Sequence, residues 1–283
     1  SYKSQGKVIT ESMYEMFKRC EFSEDDWFKI KKKCDEEKIT FLSTPQNQPD
    51  LDLLLKVGIS AIKVGSDDFV SLPLLKEYAS TNLPLILSCG MSNLSEVHES
   101  LNVVGAFKNY PTILLLTTSQ YPTPPEDVNL RKLQTLSTAF PMITIGFSDH
   151  TIGTIAASNA VALGARVFEK HFTLDHELPG PDHWFASEPD ELRTYVDAIR
   201  QSYVMLGTEL VSPTSTEEKI LTTSRRSVTA LEDIPMSSIF TKQNIGLRRP
   251  GDGVKPKFFD EILGKKSTRD IKKGTSLGFG DFT

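Results

Sequence analysis

Two histidines occupy corresponding positions in the stretch from residue 143 to residue 182. His150 closes the segment GFSDH, and His171 follows twenty-one residues later in FEKHFT. Imidazole and carboxylate groups together are ligands that Mn, Fe or Zn accept in proteins. A single buried histidine is more often a structural residue, but two at matching positions indicate a site. Their hydroxyl and acidic neighbours are Ser148, Asp149, Glu169 and Asp182.

The segments around these histidines predict a strand, a helix and a second strand. The intervening stretch, residues 152–163, is rich in alanine and carries no charge, so we expect a helix that packs closely against a sheet. Parallel sheets build ligand sites from polar residues at the exits of their strands. Both histidines are therefore predicted to lie at the same edge of one parallel sheet.

The same pattern recurs along the first 207 residues as six strand–helix units. Continuous apolar strands of this kind are buried on both faces and hence parallel. An open doubly wound sheet usually carries G-x-G-x-x-G, which this sequence lacks, whereas a barrel has polar residues at nearly every strand exit. Such exits are Thr44, Ser66, Ser88, Ser119, Ser148 and His171. The prediction is an α/β fold, a TIM-type (β/α)8 barrel lacking its first one or two β/α units, over residues 1–207.

The character of the sequence changes after Gly207. Residues 208–222 read as a polar linker, and residues 223–283 as a small module of short, turn-rich strands. The concentrated polar feature of this module is the run Arg248–Arg249–Pro250–Gly251. From the residues alone, a solvated turn and a ligand-binding turn are equally good explanations of this run.

Composition excludes several classes of function. The chain has 283 residues, 39% of them hydrophobic and 24% charged, with a net charge of −5. These values are ordinary for a soluble globular protein, and no basic stripe indicates nucleic-acid binding. No apolar run is long enough for a membrane helix. The three cysteines, Cys20, Cys34 and Cys89, lack the spacing of metal ligands and indicate a reducing, cytoplasmic setting.

A series of motifs that covers nearly the whole chain resembles the N-acetylneuraminate (sialic acid) synthase family. The motifs are FLSTP, KVGS, YPTPPEDV, GFSDHT, EKHFT, PGPDH, RRSV and RRPGDG, and from about residue 225 they resemble that family's C-terminal antifreeze-like (SAF) domain. The resemblance implies condensation of phosphoenolpyruvate with an N-acetylmannosamine-like sugar. The products are a nine-carbon 2-keto acid and phosphate.

The resemblance also implies roles for individual residues. His150 and His171 would bind a divalent metal, Mn or Mg. Asp182 and Tyr121 would face the sugar and the water on the metal. Arg249 would reach the sugar's N-acetyl group from a second subunit, which implies a domain-swapped homodimer. Phosphoenolpyruvate would be held by Thr44, Lys63, Ser66 and Ser148, with Ser119 where some relatives carry Asn. A buried lysine suits this role because phosphate and carboxylate need a fixed cation. Lys63 and Asp182 are the predicted catalytic residues.

Three departures from the family pattern affect the interpretation. The opening segment that supplies two strands and several site residues has no match here. Asp68 stands where many members carry Glu in contact with the sugar, and Arg225 replaces an apolar residue near it. The two substitutions suggest a 6-deoxy diacetamido sugar, leading to a legionaminic or pseudaminic acid. The alternatives are another metal-dependent barrel aldolase or hydrolase, and a non-catalytic fragment that binds a ligand or partner.

Overall fold

The computed structural model describes residues 2–283, which form two compact units. The larger unit spans Ser1–Gly207 and the smaller spans Thr208–Thr283. Within residues 2–283, no helix combines the length and the apolar character that crossing a membrane requires.

The larger unit begins with a small hairpin followed by two helices. Strand β1 (Tyr2–Ser4) pairs antiparallel with β2 (Lys7–Ile9), and helices α1 (Met13–Cys20) and α2 (Glu24–Glu36) follow. Helix α2 begins directly after Ser23, whose side chain caps it by accepting a hydrogen bond from the Asp26 amide.

A parallel sheet of five strands forms the centre of the larger unit. Its strands adjoin in chain order, and the α/β prediction is confirmed in this half-barrel. They are β3 (Ile62–Val64), β4 (Leu85–Ser88), β5 (Thr112–Leu116), β6 (Thr144–Asp149) and β7 (Phe168–Lys170).

Helices connect successive strands and cover the sheet. They are α3 (Gln48–Val57), α4 (Leu72–Ser80), α5 (Leu94–Val103), the short α6 (Pro125–Val128), α7 (Lys132–Ala139), α8 (Ile155–Ala162) and α9 (Pro189–Leu206). The fully buried apolar side chains of strands and helices form one core, with Leu85, Leu87 and Leu114 at its centre. Burial of such side chains is the main force that holds the sheet to its helices.

Three local predictions differ from the structure. The strand predicted around Phe41 is only a single parallel bridge between Ser43 and Ile62, and it ends at Pro45, which has no amide to donate. Asn129 does not cap α7: it has a left-handed φ of 51° at the end of α6.

The third difference concerns Ser187, a residue type that often caps helices but does not cap the long helix α9. Its amide donates to the His171 carbonyl, and its own carbonyl accepts from Thr173. Ser187 is therefore part of a parallel bridge with Phe172, and Glu188 caps α9 instead, through a capping box with Glu191.

The smaller unit is built around a two-stranded antiparallel ladder. Helix α10 (Ser215–Ser224) lies in the stretch predicted as a linker, because Thr214 and Glu217 form a capping box. Strand β8 (Ser227–Ala230) pairs with β9 (Ile245–Arg248), and a short helix α11 (Phe259–Ile262) follows. Isolated antiparallel bridges close a separate core that contains Val228, Phe240 and Leu277.

Candidate active site

A polar cavity of about 350 Å³ opens at the carboxyl ends of the parallel strands. This is the edge at which open and closed parallel sheets bind ligands. Seven of the residues predicted from the sequence line it: Lys63, Ser66, Ser119, Tyr121, Ser148, His150 and His171.

The two histidines lie side by side in this cavity. Their ring centroids are 5.2 Å apart and the ring planes are nearly perpendicular, at 83°. Burial lowers the pKa of both rings below the usual value, and the carboxylates of Asp182 and Glu169 partly oppose this at His171. A lowered pKa favours neutral imidazole near pH 7, which is the form that binds metals.

The surroundings of the two rings determine which nitrogens are free. His150 Nδ1 lies 2.7 Å from the Thr118 carbonyl oxygen, so a neutral ring donates there and keeps Nε2, which lies 3.4 Å from Ser148 Oγ, as its acceptor nitrogen. His171 Nδ1 lies 3.5 Å from Asp182 Oδ2. A carboxylate or carbonyl behind the ring is the usual arrangement around a metal-binding histidine. Over residues 2–283 there is no cluster of three or more His, Cys, Asp or Glu arranged as a metal site.

A chain of polar contacts connects the histidines to Lys63. Ser148 Oγ donates to Glu169 Oε1 at 2.6 Å, and Glu169 Oε2 lies 3.5 Å from Lys63 Nζ. Lys63 also donates to the Val64 carbonyl at 3.0 Å. Burial lowers the pKa of this lysine, and the charge of Glu169 opposes the effect. The buried cation is thus held by a carboxylate in the cavity wall.

Glu169 is the main residue that sequence reasoning did not assign to the site. The sequence identified it only as a neighbour of His171. Its position follows from the sheet: β6 and β7 pair in register, so Glu169 lies opposite Ser148 and on the same face. Aligning the two strands so that His150 and His171 correspond would have placed Glu169 opposite Ser148.

Three serine hydroxyls surround Gly90 at another part of the wall. Ser66 Oγ accepts the Gly90 amide at 3.0 Å, while Ser88 Oγ and Ser119 Oγ are buried without a hydrogen-bond partner in the described chain. A Cβ at Gly90 would lie 2.6 Å from both Ser66 Oγ and Ser119 Oγ. The glycine therefore lets the hydroxyls converge, and buried hydroxyls of this kind are suited to a ligand that accepts hydrogen bonds.

Aromatic side chains form the rest of the wall next to the histidines. The Tyr121 ring centroid lies 4.3 Å from that of His150 and 5.5 Å from that of His171. Phe185, outside the lining of the cavity, has its ring centroid 5.2 Å from that of His171 and 6.0 Å from that of Tyr121, so these rings form one aromatic cluster. Burial raises the pKa of Tyr121, so its phenol is neutral at pH 7 and can donate a hydrogen bond.

Four predicted residues do not line the cavity. Thr44 and Asp68 are half-buried beside it, and Asp67 lies in the wall instead of Asp68. Asp182 is exposed and reaches the site through its contact with His171. Arg249 belongs to the smaller unit, where its Nε donates to the Ser224 carbonyl at 2.7 Å.

Comparison with known proteins gives matches over nearly the whole chain. The model of the NeuB family matches residues 1–210, and that of the SAF domain matches residues 225–283. An N,N'-diacetyllegionaminic acid synthase from Legionella pneumophila is 35% identical over 98% of this chain and 78% of its own length. A pseudaminic acid synthase from Campylobacter jejuni is 34% identical over 95% of this chain and 78% of its own.

A solved structure adds a third relative. The N-acetylneuraminic acid (sialic acid) synthetase of Leptospira borgpetersenii, in complex with citrate, is 33% identical with a TM-score of 0.68. The match covers 72% of this chain and 71% of that one.

Proposed function

The chain belongs to the NeuB family, and on that basis we propose that it is a synthase of nine-carbon 2-keto sugar acids. It would condense phosphoenolpyruvate with an N-acylated amino sugar of the mannosamine type and release phosphate. The observation that carries the proposal is one cavity in which Lys63, the clustered serines and the two histidines face each other.

Phosphoenolpyruvate fits the half of the cavity that contains Lys63. Within residues 2–283, Lys63 is the one Lys or Arg in the cavity wall, and Ser66, Ser88 and Ser119 lie near it. A fixed cation together with hydroxyl donors can hold a phosphate or a carboxylate. The two partnerless hydroxyls of Ser88 and Ser119 support this assignment, since an anionic oxygen would satisfy both. Thr44 and Ser148 remain further candidates for the same group.

A divalent metal, Mn or Mg, is proposed at His150 and His171. The donor set suits it, because both rings are neutral and each has a carbonyl or carboxylate near Nδ1. When bound, such an ion supplies Lewis-acid polarisation of a carbonyl oxygen.

The protein's own groups orient the reactants and handle protons. In the proposed reaction, C3 of phosphoenolpyruvate forms a bond to the aldehyde carbon of the open-chain sugar, whose oxygen takes up a proton. Water then adds to C2, and the C2–O bond to phosphate breaks. Three carboxylates are candidates to orient that water or accept its proton: Glu169, held by Ser148 and Lys63, Asp182, beside His171, and Asp67 in the cavity wall.

The sugar is proposed to be a 6-deoxy diacetamido hexose, with a legionaminic or pseudaminic acid as product. Asp68 and Arg225 differ from the sialic acid synthase pattern, and relatives named for both acids lie at 34–35% identity. We further propose a cytoplasmic homodimer in which Arg249 serves the site of the other subunit. All three cysteines are free thiols, as a reducing compartment favours.

A turnover assay tests the proposal. Purified protein with Mn²⁺ and phosphoenolpyruvate is given N-acetylmannosamine or a 6-deoxy diacetamido hexose, and phosphate release and 2-keto acid are measured together. We expect equal amounts of both products, with the diacetamido sugar preferred. Turnover of N-acetylmannosamine alone would contradict the sugar assignment. Sugar cleavage without phosphate release would instead indicate an aldolase or hydrolase.

A further inference from the structure

A buried ion pair lies directly behind the two histidines, outside the cavity wall. Asp149 and Lys170 are register partners on β6 and β7, with Lys170 Nζ 3.5 Å from Asp149 Oδ2. Their side chains are 0% and 6% exposed, respectively. Strand side chains alternate between faces, so this pair lies on the face opposite Ser148 and Glu169.

Both members of the pair form hydrogen bonds with the main chain of Thr151, the residue after His150. The Thr151 amide donates to Asp149 Oδ1 at 2.8 Å, and Lys170 donates to the Thr151 carbonyl. Residue 151 is thus fixed through its amide and its carbonyl by side chains from two strands. His150 lies between Asp149 and Thr151, and His171 directly follows Lys170, so one ion pair restrains the main chain next to each histidine.

Helix α9 closes this cluster from outside. The Lys170 ammonium lies 5.2 Å from the centroid of the Tyr195 ring, and Tyr195 is buried. Burial lowers the pKa of Lys170, and the charge of Asp149 opposes the effect. The cation is therefore enclosed by an aromatic face, a carboxylate and a carbonyl.

Stability alone does not explain such a pair. Removing two charges from water costs several kcal/mol per ion, and a well-packed apolar pair of similar volume is often as stable or more so. The buried Thr151 Oγ1 of the cluster also lacks a hydrogen-bond partner in the described chain. What the pair provides is a fixed spacing between two strand ends.

We propose that Asp149 and Lys170 are positioning residues that hold His150 and His171 at the separation needed to share one metal ion. The inference rests on the proposed function only in that the two histidines bind an ion together. Supporting groups behind metal ligands typically change metal affinity by about 10- to 100-fold when they are lost.

The decisive experiment measures Mn²⁺ binding to the substrate-free protein by titration calorimetry. The double variant Asp149→Leu/Lys170→Met removes both charges together and so leaves no unpaired buried ion. We expect it to unfold at a temperature close to that of wild type but to bind Mn²⁺ about 10- to 100-fold more weakly. Lys31→Met is the matched control, because Lys31 pairs with Asp35 on α2, far along the chain from the histidines. Its Mn²⁺ affinity should equal that of wild type.

If the double variant does not fold, Asp149→Asn decides the question, because it keeps the shape of the side chain and an acceptor for the Thr151 amide. A folded Asp149→Asn protein, or a folded double variant, with wild-type Mn²⁺ affinity would overturn the inference. Wild-type protein that condenses phosphoenolpyruvate with a sugar but binds no Mn²⁺ would also overturn it while the proposed function stood. If the variants lose Mn²⁺ affinity as predicted but the wild-type protein turns over no sugar, the inference stands and the proposed function is wrong.

Discussion

At the scale of single residues, Lys63 carries the positive charge of the cavity. Its ammonium is fixed by Glu169 and by the Val64 carbonyl, so it needs little reorganisation to meet an anion. We expect Lys63→Met to lower kcat/KM for phosphoenolpyruvate by about 10²- to 10³-fold, the usual effect of losing one fixed electrostatic contact in an active site. Initial rates at varied phosphoenolpyruvate concentration measure it.

Lys56→Met is the control for that substitution. Lys56 is an exposed lysine of α3 that pairs with Glu24, away from the cavity wall. Its kinetics should be those of wild type. A Lys63→Met enzyme with an unchanged KM for phosphoenolpyruvate and an unchanged kcat would contradict the assignment.

Single residues were predictable from the sequence where a strand exit identified them. His150, His171 and Ser66 were found in this way, because parallel strands bring their carboxyl ends to one edge, whereas Lys63 lies within β3 and its role came from the family resemblance. Glu169 was missed as a site residue because its place depends on the register between β6 and β7, which becomes explicit only when the strands pair. Which of Asp67 and Asp68 faces the cavity depends on the course of the loop after β3, and no periodicity specifies that.

At the scale of elements, the carboxylate of Asp281 joins two segments near the C-terminus of the smaller unit. Asp281 accepts hydrogen bonds from Arg269 Nε at 2.6 Å, from Arg269 Nη2 at 3.1 Å and from the Gly278 amide at 2.8 Å. These contacts, chiefly those of Arg269, lower the pKa of Asp281. A lowered folded-state pKa contributes stability that is present above the unfolded-state value, about 3.9, and is lost as pH falls through the folded-state value.

Hydrogen exchange with mass spectrometry can follow this loss. In wild type, the exchange protection of the amides of residues 265–283, corrected for the pH dependence of intrinsic exchange, should fall as the pH is lowered from 5 to 3. Asp281→Asn should show low protection at both values, because it lacks the charge at either pH. Asp260→Asn removes an exposed carboxylate of α11 and should behave as wild type. An identical pH dependence in the Asp281→Asn protein would refute this contribution.

The limits of sequence prediction at this scale are visible in Ser187 and Asn129. Both are good capping residues, yet Ser187 is used by a bridge to Phe172 and Asn129 adopts a left-handed turn. A long-range hydrogen bond outweighed local preference in the first case. The helix expected over residues 152–163 is confirmed as α8, most of whose alanines are buried, although its observed bounds are shorter.

At the scale of the whole molecule, the proposed dimer predicts that Arg249 contacts the sugar in the site of the other subunit. We expect Arg249→Ala to raise the KM for the sugar at least about tenfold and to leave the KM for phosphoenolpyruvate nearly unchanged, as loss of one charge-assisted hydrogen bond predicts. Arg248→Ala is the control, since Arg248 is its exposed neighbour on β9. Equal effects of Arg249→Ala on both constants would argue against contact with the sugar.

Mixing two impaired proteins, at a sugar concentration well below the raised KM, separates an exchanged arm from one that serves its own chain. After subunit exchange between His150→Ala and Arg249→Ala proteins, random pairing in a two-fold dimer gives about one quarter of the sites both wild-type groups, if the site is shared. Activity should rise accordingly on mixing. If it does not rise although the subunits have exchanged, each chain supplies its own arginine.

The register of β6 and β7 also limits which changes of length the sequence can tolerate. Ser148 and Glu169 face the cavity, while Asp149 and Lys170 face α9. Because strand side chains alternate, deleting one residue within either strand would exchange these faces, breaking the Asp149–Lys170 pair and removing Ser148 or Glu169 from the cavity. Insertions in the loop between Thr173 and Ser187 leave that alternation intact. Changes of length are therefore expected in the loops between strands and not within β6 or β7.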